Sequence, residues 1–76
     1  MVAIIRLYTG YYIANAFIYG PKKSGQFYVR NNVIWGPTNS GRYRINGHSI
    51  HGPGSHGDYV IRGSKIYGPG RTVPWL

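Results

Sequence analysis

Apolar and polar residues alternate along most of the chain, in short runs that recur every 16 residues. Each run ends in an isoleucine, a ring and a Gly-Pro pair, as in "FIYGP", "VIWGP" and "SIHGP". Alternation with a period of two is typical of β-strands with one buried face and is incompatible with an amphipathic helix. The column just before the ring has no exception and consists of Ile18, Ile34, Ile50 and Ile66. The pattern therefore predicts strands whose isoleucines share one face.

A turn signal precedes each isoleucine. Five residues before the Gly-Pro glycine the chain has Asn15, Asn31, Gly47 and Gly63. Asn and Gly tolerate the positive φ angles that two-residue hairpin turns require. A turn at each of these positions brings a second aliphatic column opposite the first. The predicted cross-strand pairs form a central apolar face of Ile13 with Ile18, Val29 with Ile34, Ile45 with Ile50, and Ile61 with Ile66.

Aromatic residues complete the pattern on both faces. On the apolar face a ring is predicted opposite each Gly-Pro glycine, where it would shield the bare backbone. These rings are Tyr11, Phe27, Tyr43 and Tyr59. The opposite face mixes rings with cations, and its candidate ring contacts are Tyr12, Tyr19, Tyr28, Trp35 and Tyr67. Such a face suits packing between hairpins or contact with a partner.

The repeats predict an all-β fold of four antiparallel hairpins in a single domain, 1–76. The repeat boundaries are 9–21, 25–37, 41–53 and 57–69, and the proline after each hairpin ends its strand. Closure into a shallow pseudo-four-fold barrel buries the apolar face and removes open edges. An open, flat meander is the alternative. Segments 1–8 and 70–76 are expected to pack on the barrel, the first as an extra strand and the second as a plug of one end or a cover on the first strand.

Composition narrows the class of protein. The chain has no cysteine, which excludes disulfides and thiolate metal sites. Nine Lys and Arg face a single acid, Asp58, and give a net charge of +8. This charge indicates either an anionic partner or a means of staying soluble. No apolar run approaches the ~20 residues of a membrane span, and 1–8 is too short for a signal peptide. We therefore expect a cytoplasmic protein of a bacterium or phage, with a peripheral membrane location as a further option.

The sequence offers little for catalysis. One carboxylate cannot form a general acid/base pair, and no serine lies in a nucleophile motif. We expect a protein that is not an enzyme and has no cofactor. His48, His51 and His56 are predicted in a turn, a strand and a loop, where they would diverge, so no metal is expected. The candidate anion-binding residues are Arg30, Arg62 and Lys65 beside hairpin turns, Lys22, Lys23 and Arg71 in Gly-Pro loops, and Arg42 and Arg44 on the first strand of the third hairpin. The turns and the loops lie at opposite ends of a hairpin, so the charge could form two rims, with solvated charge as the alternative.

The repeated segments "FIYGPKKSG", "VIWGPTNSG", "SIHGPGSHG" and "KIYGPG", with the final "VPWL", resemble the small bacterial proteins called four-fold β-flowers. The resemblance spans residues 9 to 76. It implies hairpins around a shallow barrel with an apolar central channel and positive charge near one end. These proteins are similar to the barrels of tubby-like and scramblase proteins without the central helix, and lipid binding is implied by that analogy alone. His51 departs from the pattern, since the other repeats have Tyr or Trp there.

Three functions follow from these observations. The first is a binding module for an anionic lipid or another amphipathic ligand, through the apolar centre and a cationic rim. The second is a nucleic-acid-binding module that uses Arg, Lys and the rings. The third is a structural or protein-interaction module, in which the ring face pairs with another chain or with a second copy.

Overall fold

The protein is a closed barrel of eight antiparallel strands in sequence order. The computed structural model describes residues 6–76, apart from the side chains of Ser55 and His56. The strands are β1 (Leu7–Ala14), β2 (Phe17–Tyr19), β3 (Phe27–Arg30), β4 (Val33–Trp35), β5 (Tyr43–Asn46), β6 (Ser49–Gly52), β7 (Ser55–Arg62) and β8 (Lys65–Gly68). The predicted all-β class and the closure are confirmed, and the open meander is wrong because β8 pairs with β1.

The register of the hairpins agrees with the turn signals. Cross-strand partners include Ile13 with Ile18 and Val29 with Ile34, and the two later aliphatic pairs form in the same way. Both residues of the first turn have positive φ, at 50° for Asn15 and 70° for Ala16. This is the backbone that matches the right-handed twist of a tight hairpin. The turn residues thus fix which side chains point inward.

Rings and isoleucines fill the interior of the barrel. Tyr11, Phe27, Tyr43 and Tyr59 are all buried, together with the four isoleucines of the invariant column. Each ring lies directly on the Gly-Pro glycine of the opposite strand, two residues after that strand's buried isoleucine. An eight-stranded barrel has an interior just wide enough for side chains to fill. The glycines therefore supply the space that lets four large rings enter a small barrel.

Trp75 closes the end of the barrel at which the Gly-Pro loops lie. Its side chain has no exposed surface, and its ring lies 5.9 Å from that of Tyr43 and 6.5 Å from that of Tyr59. The Thr38 hydroxyl and the Asn39 amide donate hydrogen bonds to its carbonyl oxygen, at 2.8 and 3.2 Å. Of the two placements expected for the final segment, the plug is confirmed.

The first two Gly-Pro loops each contain the same internal hydrogen bond. The hydroxyl oxygens of Ser24 and Ser40 accept from the backbone N–H of Gly20 and Gly36, both at 3.1 Å. In the third loop His56 occupies the equivalent position, where no serine hydroxyl is available for this bond. The predicted loop at 52–57 is wrong: β7 begins at Ser55, which pairs with Gly52, and only a tight Pro53-Gly54 turn remains. His56 is consequently a strand residue, with His51 as its Cα partner.

The seam between β1 and β8 contains the one buried polar side chain that the described residues provide. The Thr9 hydroxyl donates to the Ile66 carbonyl at 2.8 Å and accepts from the Tyr11 N–H at 3.2 Å. The hydroxyl therefore satisfies two backbone groups where the ladder shifts register. The extra strand expected from 1–8 is not separate in its described part, because Leu7 and Tyr8 extend β1. Residues 1–5 lie outside the described residues.

Candidate functional site

The predicted central apolar face forms, but the four isoleucines that make up half of it are buried in the core. Ile18, Ile34, Ile50 and Ile66 are at most 2% exposed. Their cross-strand partners pack against the core and remain partly exposed: Ile13, Val29, Ile45 and Ile61. Trp75 lies among the buried rings at the Gly-Pro end. Contact of a ligand with this face is therefore limited to these four partly exposed residues.

An aromatic band covers one side of the barrel. It spans the outer face of β8, β1, β2, β3 and β4 and consists of Tyr8, Tyr12, Phe17, Tyr19, Tyr28, Trp35 and Tyr67. Five of these rings are 36–43% exposed, and Tyr19 and Tyr67 are partly exposed. Scattered apolar residues are normal on a protein surface, whereas a contiguous group of large rings is typical of an interaction site.

The rings of the aromatic band are paired with one another. Centroids lie 5.6 Å apart for Tyr8 and Tyr67, 5.6 Å for the stacked Tyr12 and Tyr19, and 6.0 Å for Phe17 with its neighbour on β3. Two of the pairs join different hairpins, which agrees with the expected packing role. Pairing covers part of the ring faces, and five rings of the band still remain 36–43% exposed.

Cations lie at both ends of the aromatic band. Lys22 and Lys23 occupy the loop between β2 and β3, at the Gly-Pro end. Arg30 and Lys65 lie at the hairpin end, where the Lys65 ammonium is 5.5 Å from the centroid of the Tyr8 ring. All four side chains are exposed. A cation over a ring face is attracted by the ring quadrupole, so charge and ring surface are joined at this point.

A second feature, the cationic groove, lies on the outer side of β7 and β8. Its volume is about 700 Å³, and its lining residues are Arg6, His48, Val60, Ile61, Arg62, Gly63 and Tyr67. The turn between β5 and β6 forms one wall, where the His48 carbonyl accepts a 2.7 Å hydrogen bond from the Ile61 N–H. Arg6 enters from the other side, and its guanidinium donates to the Gly57 carbonyl at 3.3 Å.

An equivalent groove on the preceding hairpin is less basic. Its volume is about 640 Å³, and it is lined by Asn31, Asn32, Val33, Arg44, Ile45, Asn46 and His51. The preceding hairpin turn bonds to the strand as in the cationic groove, since the Ile45 N–H donates to the Asn32 carbonyl at 2.7 Å. Asparagines take the places that cations have in the cationic groove. A smaller cavity beside it is lined by Arg42, Arg44, His51, Gly52 and Pro53.

The predicted rims separate as expected, with one adjustment. Arg30, Arg62 and Lys65 lie at the hairpin end, and Lys22, Lys23 and Arg71 lie in Gly-Pro loops. Arg42 was expected on a strand, but it precedes β5 by one residue, since its N–H donates to the Asn39 carbonyl in the turn. Among the described side chains, no three of the His, Cys, Asp and Glu types converge in the manner of a metal site.

Two residues of the outer surface, Tyr8 and Arg6, were missed from the sequence. They lie before the first repeat, so the 16-residue alignment does not reach them. The alternation does place Phe17 on the outer face, opposite Ala14, as the structure has it. Phe17 was not a candidate ring contact, because its column is otherwise polar or aliphatic, with Val33, Ser49 and Lys65 in the other repeats.

Fold and surface together define a small, closed, eight-stranded antiparallel barrel with an aromatic band on one side and a cationic groove beside it. Comparison of the chain with protein-family models, curated proteins and solved structures gives no match. Over the described residues, the structure has no helix with the length and apolar character needed to cross a membrane.

Proposed function

We propose that this chain is a non-enzymatic module of the β-flower type, with four hairpins in pseudo-four-fold arrangement, that binds anionic lipid surfaces from the cytoplasmic side. The observation that carries the proposal is the aromatic band with exposed lysines and arginines at both of its ends. Tyr and Trp prefer the membrane–water interface because their rings are apolar and their tips polar. Basic residues next to such rings are attracted by the negative potential of anionic headgroups.

The aromatic band, rather than the barrel centre, provides the apolar contact in this proposal. The four invariant isoleucines and Trp75 are buried against one another, which commits them to stability. Five rings that are 36–43% exposed offer a larger accessible surface. The four partly exposed aliphatic residues opposite the buried isoleucines add a smaller apolar contact next to Arg30 and Lys65.

Nucleic acid is the second candidate and is less well supported by the ring geometry. Bases stack on free aromatic faces, whereas the stacked pair Tyr12 and Tyr19 cover one another at an interplanar angle of 28°. Interfacial insertion requires exposed ring surface but no free ring face, and both Tyr8 and Tyr12 are at least 40% exposed. Binding to single-stranded DNA would fall by about one log unit per log unit of salt for each phosphate neutralised. Such a dependence, without vesicle binding, would favour nucleic acid.

Vesicle sedimentation tests the proposal. The protein should pellet with mixed phosphatidylserine–phosphatidylcholine vesicles and remain in the supernatant with phosphatidylcholine alone. Lys22→Gln/Lys23→Gln removes two charges beside the aromatic band. At about 1 kcal/mol per basic residue near the surface, partitioning should fall roughly 30-fold.

The matched control removes two charges at the far edge of the aromatic band. Arg42→Gln/Arg44→Gln has the same change in net charge, but Arg42 precedes β5 and Arg44 lies on it, so that β3 and β4 separate them from the loop that carries Lys22 and Lys23. Partitioning of this variant should fall less than that of Lys22→Gln/Lys23→Gln. Equal loss in both variants, or equal binding to both vesicle types, would refute a membrane contact through the aromatic band.

A further inference from the structure

The cationic groove brings together basic side chains from three separate parts of the chain. Arg6 precedes β1, His48 lies in the turn between β5 and β6, and Arg62 ends β7. Backbone hydrogen bonds hold the surrounding frame, with Ile61 bound to the His48 carbonyl. The bond from Arg6 to Gly57 uses one of the five guanidinium N–H donors.

Among the residues that line the groove, the charge is of one sign, while the acid Asp58 lies on β7 outside the lining. Arg62 and Lys65 are direct cross-strand partners, an arrangement in which like charges destabilise a hairpin. No acidic residue lines the groove. A bound anion would offset this repulsion, and guanidinium groups match the oxygens of phosphate in bidentate geometry.

The groove also has an apolar floor. Val60, Ile61 and the partly exposed ring of Tyr67 line it between the basic residues. Its volume of about 700 Å³ lies within the range of about 300–1,000 Å³ typical of small-molecule sites. A ligand with a phosphate group and an apolar or aromatic part fits this combination better than inorganic phosphate does.

We propose that the cationic groove is a binding site for organic phosphates, in which the charge of Arg6, His48 and Arg62 along the lining attracts the phosphate group and Tyr67 contacts the organic part. The equivalent groove on the preceding hairpin has a single arginine among its lining residues and should bind the same ligands more weakly. The site goes beyond the proposed membrane contact, since it uses neither Lys22 nor Lys23, although it shares Tyr67 with the aromatic band.

The test is an NMR titration of the ¹⁵N-labelled full chain with phenyl phosphate, inorganic phosphate and chloride at constant ionic strength. Saturable shifts are expected at the amides of His48, Gly63 and Tyr67, with phenyl phosphate binding more tightly than inorganic phosphate. Arg62→Gln should weaken binding about tenfold or more, since hydrogen bonds to charged groups are worth ~1.5–3 kcal/mol. Arg6→Gln should weaken it in the same direction and serves as a second variant should Arg62→Gln lose the native spectrum.

Arg30→Gln is the matched control. Arg30 has the same place in the second hairpin, at the end of its strand and opposite Val33 instead of a cation. Its removal changes net charge equally and should leave the affinity for phenyl phosphate unchanged. Equal loss in Arg30→Gln and Arg62→Gln, or shifts that spread over all basic residues without saturation, would overturn the site.

Two further measurements distinguish a lipid headgroup from a free organic phosphate, and the groove proposal from the membrane proposal. Short-chain phosphatidic acid binding more tightly than phenyl phosphate identifies a lipid headgroup, whereas the reverse order identifies a free organic phosphate. Saturation by phenyl phosphate without vesicle sedimentation supports the groove and refutes the membrane contact. Sedimentation with anionic vesicles while phenyl phosphate leaves the groove unshifted refutes the groove and keeps the membrane contact.

Discussion

The close contact between rings and glycines predicts that Gly36→Ala strongly destabilises the barrel. A Cβ atom at Gly36 would lie 2.2 Å from Cδ2 of Phe27 and 2.7 Å from Cε2. Carbon atoms in contact prefer about 3.5–4.0 Å. Gly36→Ala therefore requires the ring or the strand to move by more than about 1 Å. Phe27 is 1% exposed and its Cα partner Ile18 is also buried, so the ring has no free space to enter.

The expected loss of stability is large for this chain. Overpacking a core costs about 1–3 kcal/mol and sometimes more, and expelling part of the Phe27 ring adds a share of the ~1.5–3 kcal/mol that its burial provides. We expect about 3 kcal/mol. A chain of 76 residues has a free energy of unfolding of roughly 4–11 kcal/mol. The midpoint of thermal unfolding should therefore fall by about 12–24 °C.

The assay is thermal and urea unfolding followed by circular dichroism, with Gly70→Ala as the matched control. A Cβ at Gly70 meets no atom within 4 Å, and its φ lies outside the left-handed region. This control should be neutral or slightly stabilising, because alanine reduces the entropy of the unfolded chain. In a Phe27→Leu background the cost of Gly36→Ala should shrink, since the ring face that the Cβ meets has been removed.

Two results would refute this reasoning. Gly36→Ala within about 0.5 kcal/mol of the parent, the range of ordinary surface substitutions, would mean that the ring does not rest on the glycine. An unchanged cost in the Phe27→Leu background would assign the loss to the backbone instead of the ring.

Further predictions concern the plug and the alkaline limit of stability. Trp75→Ala should lower the free energy of unfolding in urea by about 3–5 kcal/mol. Trp75→Phe should lower it clearly less, because it keeps a ring in the plug and removes an indole N–H that has no acceptor among the described residues. Equal losses in the two variants would contradict this. Burial raises the pKa of Tyr59, with a smaller contribution from the negative charge of Asp58 and a further one from Tyr43. The folded state therefore retains the Tyr59 proton longer than the unfolded state, so this contribution to stability is complete below about pH 10 and is lost as pH rises through the folded pKa. Tyr59→Phe should flatten the alkaline decline in unfolding free energy, whereas Tyr28→Phe, at an exposed position, should not.

The sequence predicted the interior of the barrel well because the interior repeats. Period-two alternation and the turn residues Asn15, Asn31, Gly47 and Gly63 determine the register, and a one-residue slip would turn every isoleucine outward. The ring-on-glycine contact also follows from register alone. Trp75 could be assigned only to one of two places, because a segment outside the repeat has no periodic neighbour to align with.

The outer surface was less predictable for a physical reason. Its residues are constrained by solvent and by neighbours on other hairpins, so they need not repeat. The cationic groove depends on Arg6, which bonds to Gly57 although the two residues are 51 positions apart in the sequence. The third loop is shorter than the first two, since β7 already begins at Ser55, and hydrophobic patterning carries no signal for this difference.

Function in this chain is best sought where the repeat fails. The inner columns keep an isoleucine, a ring and a glycine in all four hairpins, since each copy must fill the same share of one core. The outer positions opposite one another diverge, from Tyr12 with Tyr19 on the first hairpin to Arg44 with His51 on the third. The outer surface is free of that constraint, so its residues can differ between hairpins without loss of the core. The proposed contacts, one apolar at the aromatic band and one anionic at the cationic groove, use these divergent positions, and the vesicle and phenyl phosphate experiments test them separately.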